Sequence, residues 1–225
     1  MKRALTAALA ALLLAAGHVS VDAHDPPRTK VTWNGDIARL VHARCVRCHA
    51  PDGRGPMSLV TYDDARPWAK AIREEVMARR MPKWHAARGY GQFANDPSLS
   101  AFEIAMFVSW VDGGSLRGPE PQTIDPQPAA PAAVAARQVT VPCANRQLPA
   151  GRLLAITPHL ADDASAGFVA RFPDGRREIL GWIRNFDVKF PETYRLRTPL
   201  DLPAGSWLEV EGAGRCSVTL HVARS

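Results

Sequence analysis

The feature that most constrains the fold is a change of hydrophobic period along the chain. Apolar residues recur at helical spacing up to residue 114, whereas short β-branched and aromatic runs alternate with turn residues after residue 138. Residues 115–138 are rich in Pro and Ala and have no apolar periodicity, which is typical of a semi-rigid linker. The sequence therefore predicts a helical part and a strand-rich part joined by a linker.

Three segments before the linker carry the helical pattern. The first is "WNGDIARLVHARC", with Asn34 as its predicted N-cap, and the second is "YDDARPWAKAIREEVMARR". The third begins at Ser100, which together with Glu103 has the spacing of a capping box. Its apolar residues follow at helical spacing, so it is the clearest amphipathic helix of the chain.

The strand-rich part, residues 139–225, predicts a small antiparallel β-sandwich. Asp174-Gly175 lies between two strand-like runs and is a good hairpin signal. The runs are "RLLAI", "GFVARF", "REILGWI", "TYRLR", "SWLEVEG" and "CSVTLHVA".

The N-terminal residues predict export. Lys2 and Arg3 precede an apolar run, Ala4–Ala16, and small residues allow cleavage after Ala23. We therefore predict a signal peptide over residues 1–23 and a periplasmic or otherwise exported, soluble protein. The apolar run is shorter than the roughly 20 residues that span a bilayer. An uncleaved anchor is the weaker alternative, and no stable membrane span is expected after cleavage.

The four cysteines form a distant pair and a close pair. Cys143 and Cys216 both lie in the strand-rich part, and in an oxidising compartment they are expected to form a disulfide. Cys45 and Cys48 are separated by two residues and followed at once by His49, which gives the motif CxxCH.

The motif CxxCH allows three chemistries. A thioredoxin-like dithiol would lie near a βαβ pattern, whereas this pair follows a short predicted helix. A zinc site would need a second ligand pair at short spacing, and neither a second CxxC nor an HxxxH occurs. Covalent haem attachment uses two thiols on one turn and an adjacent histidine as iron ligand, so the motif favours haem.

Several residues compete for the second axial position of such an iron. Met81 is followed by Pro82, which halts the preceding helix and can project the sulfur from a fixed loop. A thioether opposite His49 would stabilise ferrous iron, as in electron carriers. Met57 and His85 are the alternatives, and an open position is a further one.

Residues 31–114 resemble a class I cytochrome c domain. The resemblance rests on a helix running into CxxCH, on Gly55-Pro56, on a middle helix, on the Met81-Pro82 loop and on the last amphipathic helix. The run from residue 61 to 114 is similar, more particularly, to cytochrome domains of bacterial exported proteins that carry a sandwich related to copper type II ascorbate-dependent monooxygenases. Lys83 departs from those relatives, in which the loop usually has the sequence Met-Pro-Pro-Trp.

This resemblance implies a multi-domain α + β fold. A small all-α cytochrome c domain, residues 24–114, would be followed by the linker and by the small antiparallel β-sandwich. The resemblance also implies one haem c, attached covalently to Cys45 and Cys48, with His49 as the proximal and Met81 as the distal iron ligand.

The sandwich of the same relatives holds a catalytic copper with a His-x-His pair. Here His159 is present, but the second position is Ala161, and His221 is the other candidate. A usable copper site needs two or three ligands, so the sandwich is expected to lack a complete one. His24, which cleavage would make N-terminal, offers an amine and an imidazole but has no indicated partner.

The expected function is one-electron transfer by an exported mono-haem cytochrome that is an electron carrier rather than an enzyme. The first alternative is a redox enzyme component whose haem feeds a metal site in the sandwich or in a partner. The second is a haem-based ligand sensor.

Charge points to a protein partner. The chain has 28 Lys and Arg against 22 Asp and Glu, and loss of residues 1–23 leaves 26 against 21. This mild excess comes without a nucleic-acid-binding motif, so no nucleic acid is expected and an acidic redox protein is the favoured partner. The basic residues around the predicted distal loop are Arg79, Arg80, Lys83 and Arg88.

Overall fold

The computed structural model describes residues 30–119, 136–212 and 214–223. The predicted signal peptide and His24 lie outside these residues, as does most of the predicted linker. Among the described helices, none combines the length and the apolar character that a membrane span requires.

Short helices form the first part of the described chain, and their apolar faces meet around Ile37, Phe107 and Trp110, all fully buried. A π-turn and a 3-10 turn extend two of them at their N-terminal ends. The elements are the π-turn Trp33–Ile37, α1 (Ala38–Arg44), the single turn α2 (Tyr62–Ala65), the 3-10 turn Arg66–Trp68, α3 (Ala69–Met77) and α4 (Ala101–Asp112).

Capping explains where these helices begin. Thr32, rather than the predicted Asn34, caps the first one, and its hydroxyl accepts from a first-turn amide at 3.2 Å. Ser100 and Glu103 form the predicted capping box of α4. The second predicted helix is divided into α2 and α3 at the 3-10 turn that contains Pro67, because proline has no N–H for a continuous helix.

Two four-stranded antiparallel sheets form the second part. One sheet has the order β1-β8-β3-β6 and the other has the order β2-β7-β4-β5. Their inner faces pack together around a core that includes Ile156, Phe168 and Leu208. The strands are β1 (Ala136–Pro142), β2 (Arg146–Gln147), β3 (Gly151–His159), β4 (Ala166–Arg171), β5 (Arg177–Ile183), β6 (Tyr194–Leu202), β7 (Trp207–Glu211) and β8 (Ser217–Ala223).

Two local features of this part were predicted from the sequence. Asp174-Gly175 lies in the turn between β4 and β5, where Gly175 has a φ of +85° that favours glycine. Cys143 and Cys216, the pair expected to be bonded, are joined by a disulfide with their Cα atoms 5.2 Å apart. This bond links the end of β1 to the start of β8.

The predicted fold class is wrong. The protein is mostly β, with two four-stranded antiparallel sheets and a small helical part, and it is not an all-α cytochrome c domain followed by a sandwich. The longest described helix, α4, has only 12 residues. Moreover, part of the chain assigned to the helical domain pairs with the sandwich, since Ala86 bridges to Ile183 and Phe93 to Leu196.

The segment after Pro82 shows the physical reason for this error. The segment lies between the predicted helices, and its two glycines, Gly89 and Gly91, adopt left-handed φ values of +82° and +86°. Its apolar side chains are buried in the sandwich instead, where Phe93 is a core residue and the ring of Trp84 lies 4.7 Å from that of Tyr194. Contacts over about 100 positions have no local period, so the hydrophobic pattern could not predict them.

Candidate functional site

The predicted site residues Cys45, Cys48, His49 and Met81 line a single cleft of the helical part. The cleft has a cavity volume of about 160 Å³ and is partly open to solvent. Its walls are mostly apolar. The apolar wall residues include Pro56, Leu59, Trp68, Ile72, Val76 and Pro82.

The CxxCH motif follows directly after helix α1 and lines this cleft. The helix ends at Arg44, and the amide of Cys45 still donates to the carbonyl of Val41 at 2.8 Å. The amides of Cys48 and His49 then donate to the carbonyl of Cys45, at 3.0 and 2.9 Å. These bonds place both cysteines on one turn, and both thiols are free.

A hydrogen bond at Nδ1 holds the imidazole of His49. Its Nδ1 lies 3.1 Å from the carbonyl oxygen of Met57. Because a carbonyl oxygen only accepts, Nδ1 carries the proton, and Nε2 keeps its lone pair for a metal ion. Gly55 packs against the same ring, since a Cβ at this position would lie 2.6 Å from Nδ1. The chain after the motif is therefore built around one orientation of the imidazole.

The thiol environment differs from that of a reactive dithiol. Burial raises the pKa of Cys45 to about 12, the neighbouring Cys48 adds to the rise, and Arg44 opposes it. Reactive cysteines have lowered pKa values instead. The zinc alternative also lacks support, because no three His, Cys, Asp or Glu residues in the described part of the chain are grouped to hold a metal ion.

The three candidates for the second axial position occupy different places. Met81 lines the cleft. Met57 also lines it, but its carbonyl is fixed on the Nδ1 side of His49, away from Nε2. His85 is buried outside the cleft lining, with its ring 5.4 Å from that of Phe186 in the sandwich. Both methionines therefore line the cleft, whereas His85 does not.

Sequence reasoning missed a contribution from the sandwich. Phe190, between β5 and β6, lines the cleft. Glu192 forms ion pairs with Arg47 at 3.1 Å and with Arg54 at 3.0 Å. These partners are 145 and 138 positions apart in the chain, so no local sequence signal indicates the contact.

His159 and His221, the remaining copper candidates, do not come together. In the β3–β8 register His159 pairs with Ser217, four residues before His221, which separates the two histidines by about 13 Å along the strands. Their Nε2 atoms are hydrogen-bonded to the hydroxyls of Thr219 and Thr157, at 2.9 and 2.8 Å. The outer face of this sheet therefore carries two separate histidines.

Basic residues surround the Met81 loop as expected, but their partners differ. Arg80 forms an ion pair with Glu75 at 2.8 Å. Arg79 and Arg88 instead donate to the carbonyl of Leu99, at 3.3 and 2.7 Å. A carbonyl is neutral, so these two bonds leave the positive charge of Arg79 and Arg88 in place.

The chain has no significant match among protein-family models, curated proteins or solved structures. The resemblance to class I cytochrome c domains therefore stays a prediction.

Proposed function

We propose that this protein is an exported one-electron carrier that binds one haem c through Cys45 and Cys48. One observation supports the proposal above all: two free thiols on one turn, the oriented imidazole of His49 and the thioether of Met81 line the same apolar cleft. Paired thiols with an adjacent histidine attach c-type haem, and a Met/His pair ligates the iron of cytochromes c. When bound, the haem supplies an iron that changes between ferric and ferrous states.

The residues of the cleft have separate roles in this function. Cys45 and Cys48 would anchor the group covalently, and His49 and Met81 would ligate its iron. The carbonyl of Met57 fixes the tautomer of His49, which is the usual role of a hydrogen-bond partner behind a metal-bound histidine. The apolar walls exclude water and so disfavour the more highly charged ferric state.

The partner in this proposal is an acidic redox protein. Arg79 and Arg88 are exposed and keep their charge on the side of the cleft that carries Met81. Such charges speed the encounter with an acidic surface, and salt weakens their effect. No observation in the described part of the chain favours the redox enzyme or the ligand sensor over the electron carrier.

Expression with and without a cytochrome c maturation system tests the attachment. A pyridine haemochrome spectrum of the denatured, purified chain is expected to show one covalent haem, and Cys45→Ala/Cys48→Ala is expected to show none. A wild-type chain without covalent haem would overturn the proposal.

The ferric spectrum tests the axial assignment. Wild type is expected to show the weak near-infrared band of thioether ligation, and Met81→Ala is expected to lose it. Met77→Ala is the matched control, because Met77 lies four residues earlier and is half exposed. A band that survives in Met81→Ala would transfer the assignment to another residue, and Met57→Leu would then be measured.

A further inference from the structure

The loop between β5 and β6, residues 184–193, extends from the sandwich to the cleft. Its first half is fixed to the sandwich, because Phe186 is a core residue and its carbonyl accepts from the amide of Asp163 at 2.7 Å. The amide of Val188 donates to Asp162 Oδ1 at 3.2 Å. This β5–β6 loop therefore has a fixed base, from which its second half reaches the helical part.

Glu192 contacts the CxxCH side of the cleft. Its side chain is only 10% exposed, and Oε1 lies 3.1 Å from Arg47 Nη2 and 3.0 Å from Arg54 Nη2. The pKa of Arg54 is raised, mainly by its hydrogen bond to this carboxylate. Arg54 Nη2 also lies 4.0 Å from Cys48 Sγ. One carboxylate thus forms ion pairs with two guanidinium groups beside an attachment thiol.

Asp187 and Phe190 contact the Met81 side. Asp187 Oδ2 lies 3.8 Å from the Nζ of Lys83, which lines the cleft two residues after Met81. The ring of Phe190 lines the cleft itself, and its centroid is 5.8 Å from the guanidinium of Arg54 and 5.7 Å from Lys83 Nζ. The loop therefore contacts both sides of the cleft and places an aromatic ring between two cations.

We propose that the β5–β6 loop is part of the haem site, and that through Glu192 and Phe190 the sandwich sets the reduction potential. This inference rests on the function proposed above. The carboxylate of Glu192 favours the more positive ferric state, because without it Arg47 and Arg54 would be uncompensated. The ring of Phe190 excludes water, which disfavours the ferric state. Removal of the two side chains should therefore shift the potential in opposite directions.

Spectroelectrochemistry of the full-length, haem-loaded protein against a fixed reference couple tests this inference. Glu192→Gln is expected to shift the reduction equilibrium about threefold or more toward the ferrous form, and Phe190→Ala about threefold or more toward the ferric form. Val188→Ala is the matched control, because Val188 belongs to the same loop and its side chain is half exposed. Its potential is expected to equal that of wild type.

Covalent haem is measured first in each variant, so that the two proposals are tested separately. Wild-type protein without covalent haem would overturn the proposed function, and the loop proposal with it. If haem is attached and the potential of Glu192→Gln equals that of Val188→Ala, the loop proposal alone is wrong. Glu192→Gln decides this even if Phe190→Ala does not fold, because Gln has the shape of Glu. Shifts of the same sign in both variants would also refute it.

Discussion

Replacement of Gly55 by alanine tests whether the chain after the motif holds the imidazole of His49. The new Cβ would lie 2.6 Å from Nδ1 and 2.8 Å from Cε1 of His49, and 2.9 Å from the carbonyl oxygen of Cys48. Cβ atoms essentially never approach other heavy atoms so closely, so the ring has to move. Any such shift disturbs the 3.1 Å hydrogen bond from Nδ1 to the carbonyl of Met57.

The expected cost follows from these two effects. Overpacking costs about 1–3 kcal/mol, and the weakened hydrogen bond costs about 1 kcal/mol more. We expect Gly55→Ala to lower the free energy of unfolding by about 2–3 kcal/mol, given partial relaxation. For a chain of this length that corresponds to a melting temperature about 4–12 °C lower.

Urea unfolding followed by far-UV circular dichroism measures this cost, with every variant in the same haem state. Gly214→Ala is the matched control, because a Cβ at Gly214 meets nothing within 4 Å and its φ is not in the left-handed region. Its stability is expected to stay within about 0.5 kcal/mol of wild type. If Gly55→Ala is as stable as this control, the segment does not clamp His49 and the reasoning fails.

Three further predictions concern the rest of the chain. The disulfide closes a loop of 73 residues, so Cys143→Ala/Cys216→Ala should lose about 4 kcal/mol in urea unfolding, and a loss below about 1 kcal/mol would contradict this. Ser100→Ala should lose about 1 kcal/mol through the capping box of α4, and unchanged stability would show that the box contributes nothing. Burial lowers the pKa of His85 in the folded protein. The contribution of its neutral imidazole to stability is therefore fully present above the ordinary pKa of about 6.5, and it is lost as the pH falls through the lowered pKa. His85→Phe should flatten this fall in unfolding measurements at about pH 7.5 and pH 5, and an equally steep fall would refute the assignment.

The parts of the fold that could be predicted depend on neighbours in sequence. The capping box of Ser100 and Glu103 spans four residues, and the turn at Asp174-Gly175 needs a φ that glycine adopts without strain. The residues that form each feature are close in sequence, so a short stretch of sequence is enough to predict it. The cap at Thr32 was missed because Asn34, two residues later, has an equally suitable side chain.

The fold class could not be predicted because the decisive contacts are distant in sequence. Phe93 was assigned to the helical domain, yet it bridges to Leu196 and packs in the core of the sandwich. Nothing in the local pattern shows which of two hydrophobic cores a short apolar residue run will join. The energy gained by burial is the same in either core, so only the three-dimensional arrangement decides.

The base of the candidate site depends on residues that are close in sequence, whereas its opening depends on residues that are distant in sequence. The residues that orient His49, namely Met57 and Gly55, lie within eight positions of it, so the motif and the chemistry it favours could be found in the sequence. The opening depends on Glu192 and Phe190, which reach the motif from the other half of the chain. The potential and accessibility of a bound haem depend on burial and on local charge. A fragment ending at residue 114 would keep the predicted ligands but lose this wall of the cleft. Experiments on the redox properties therefore require the full chain.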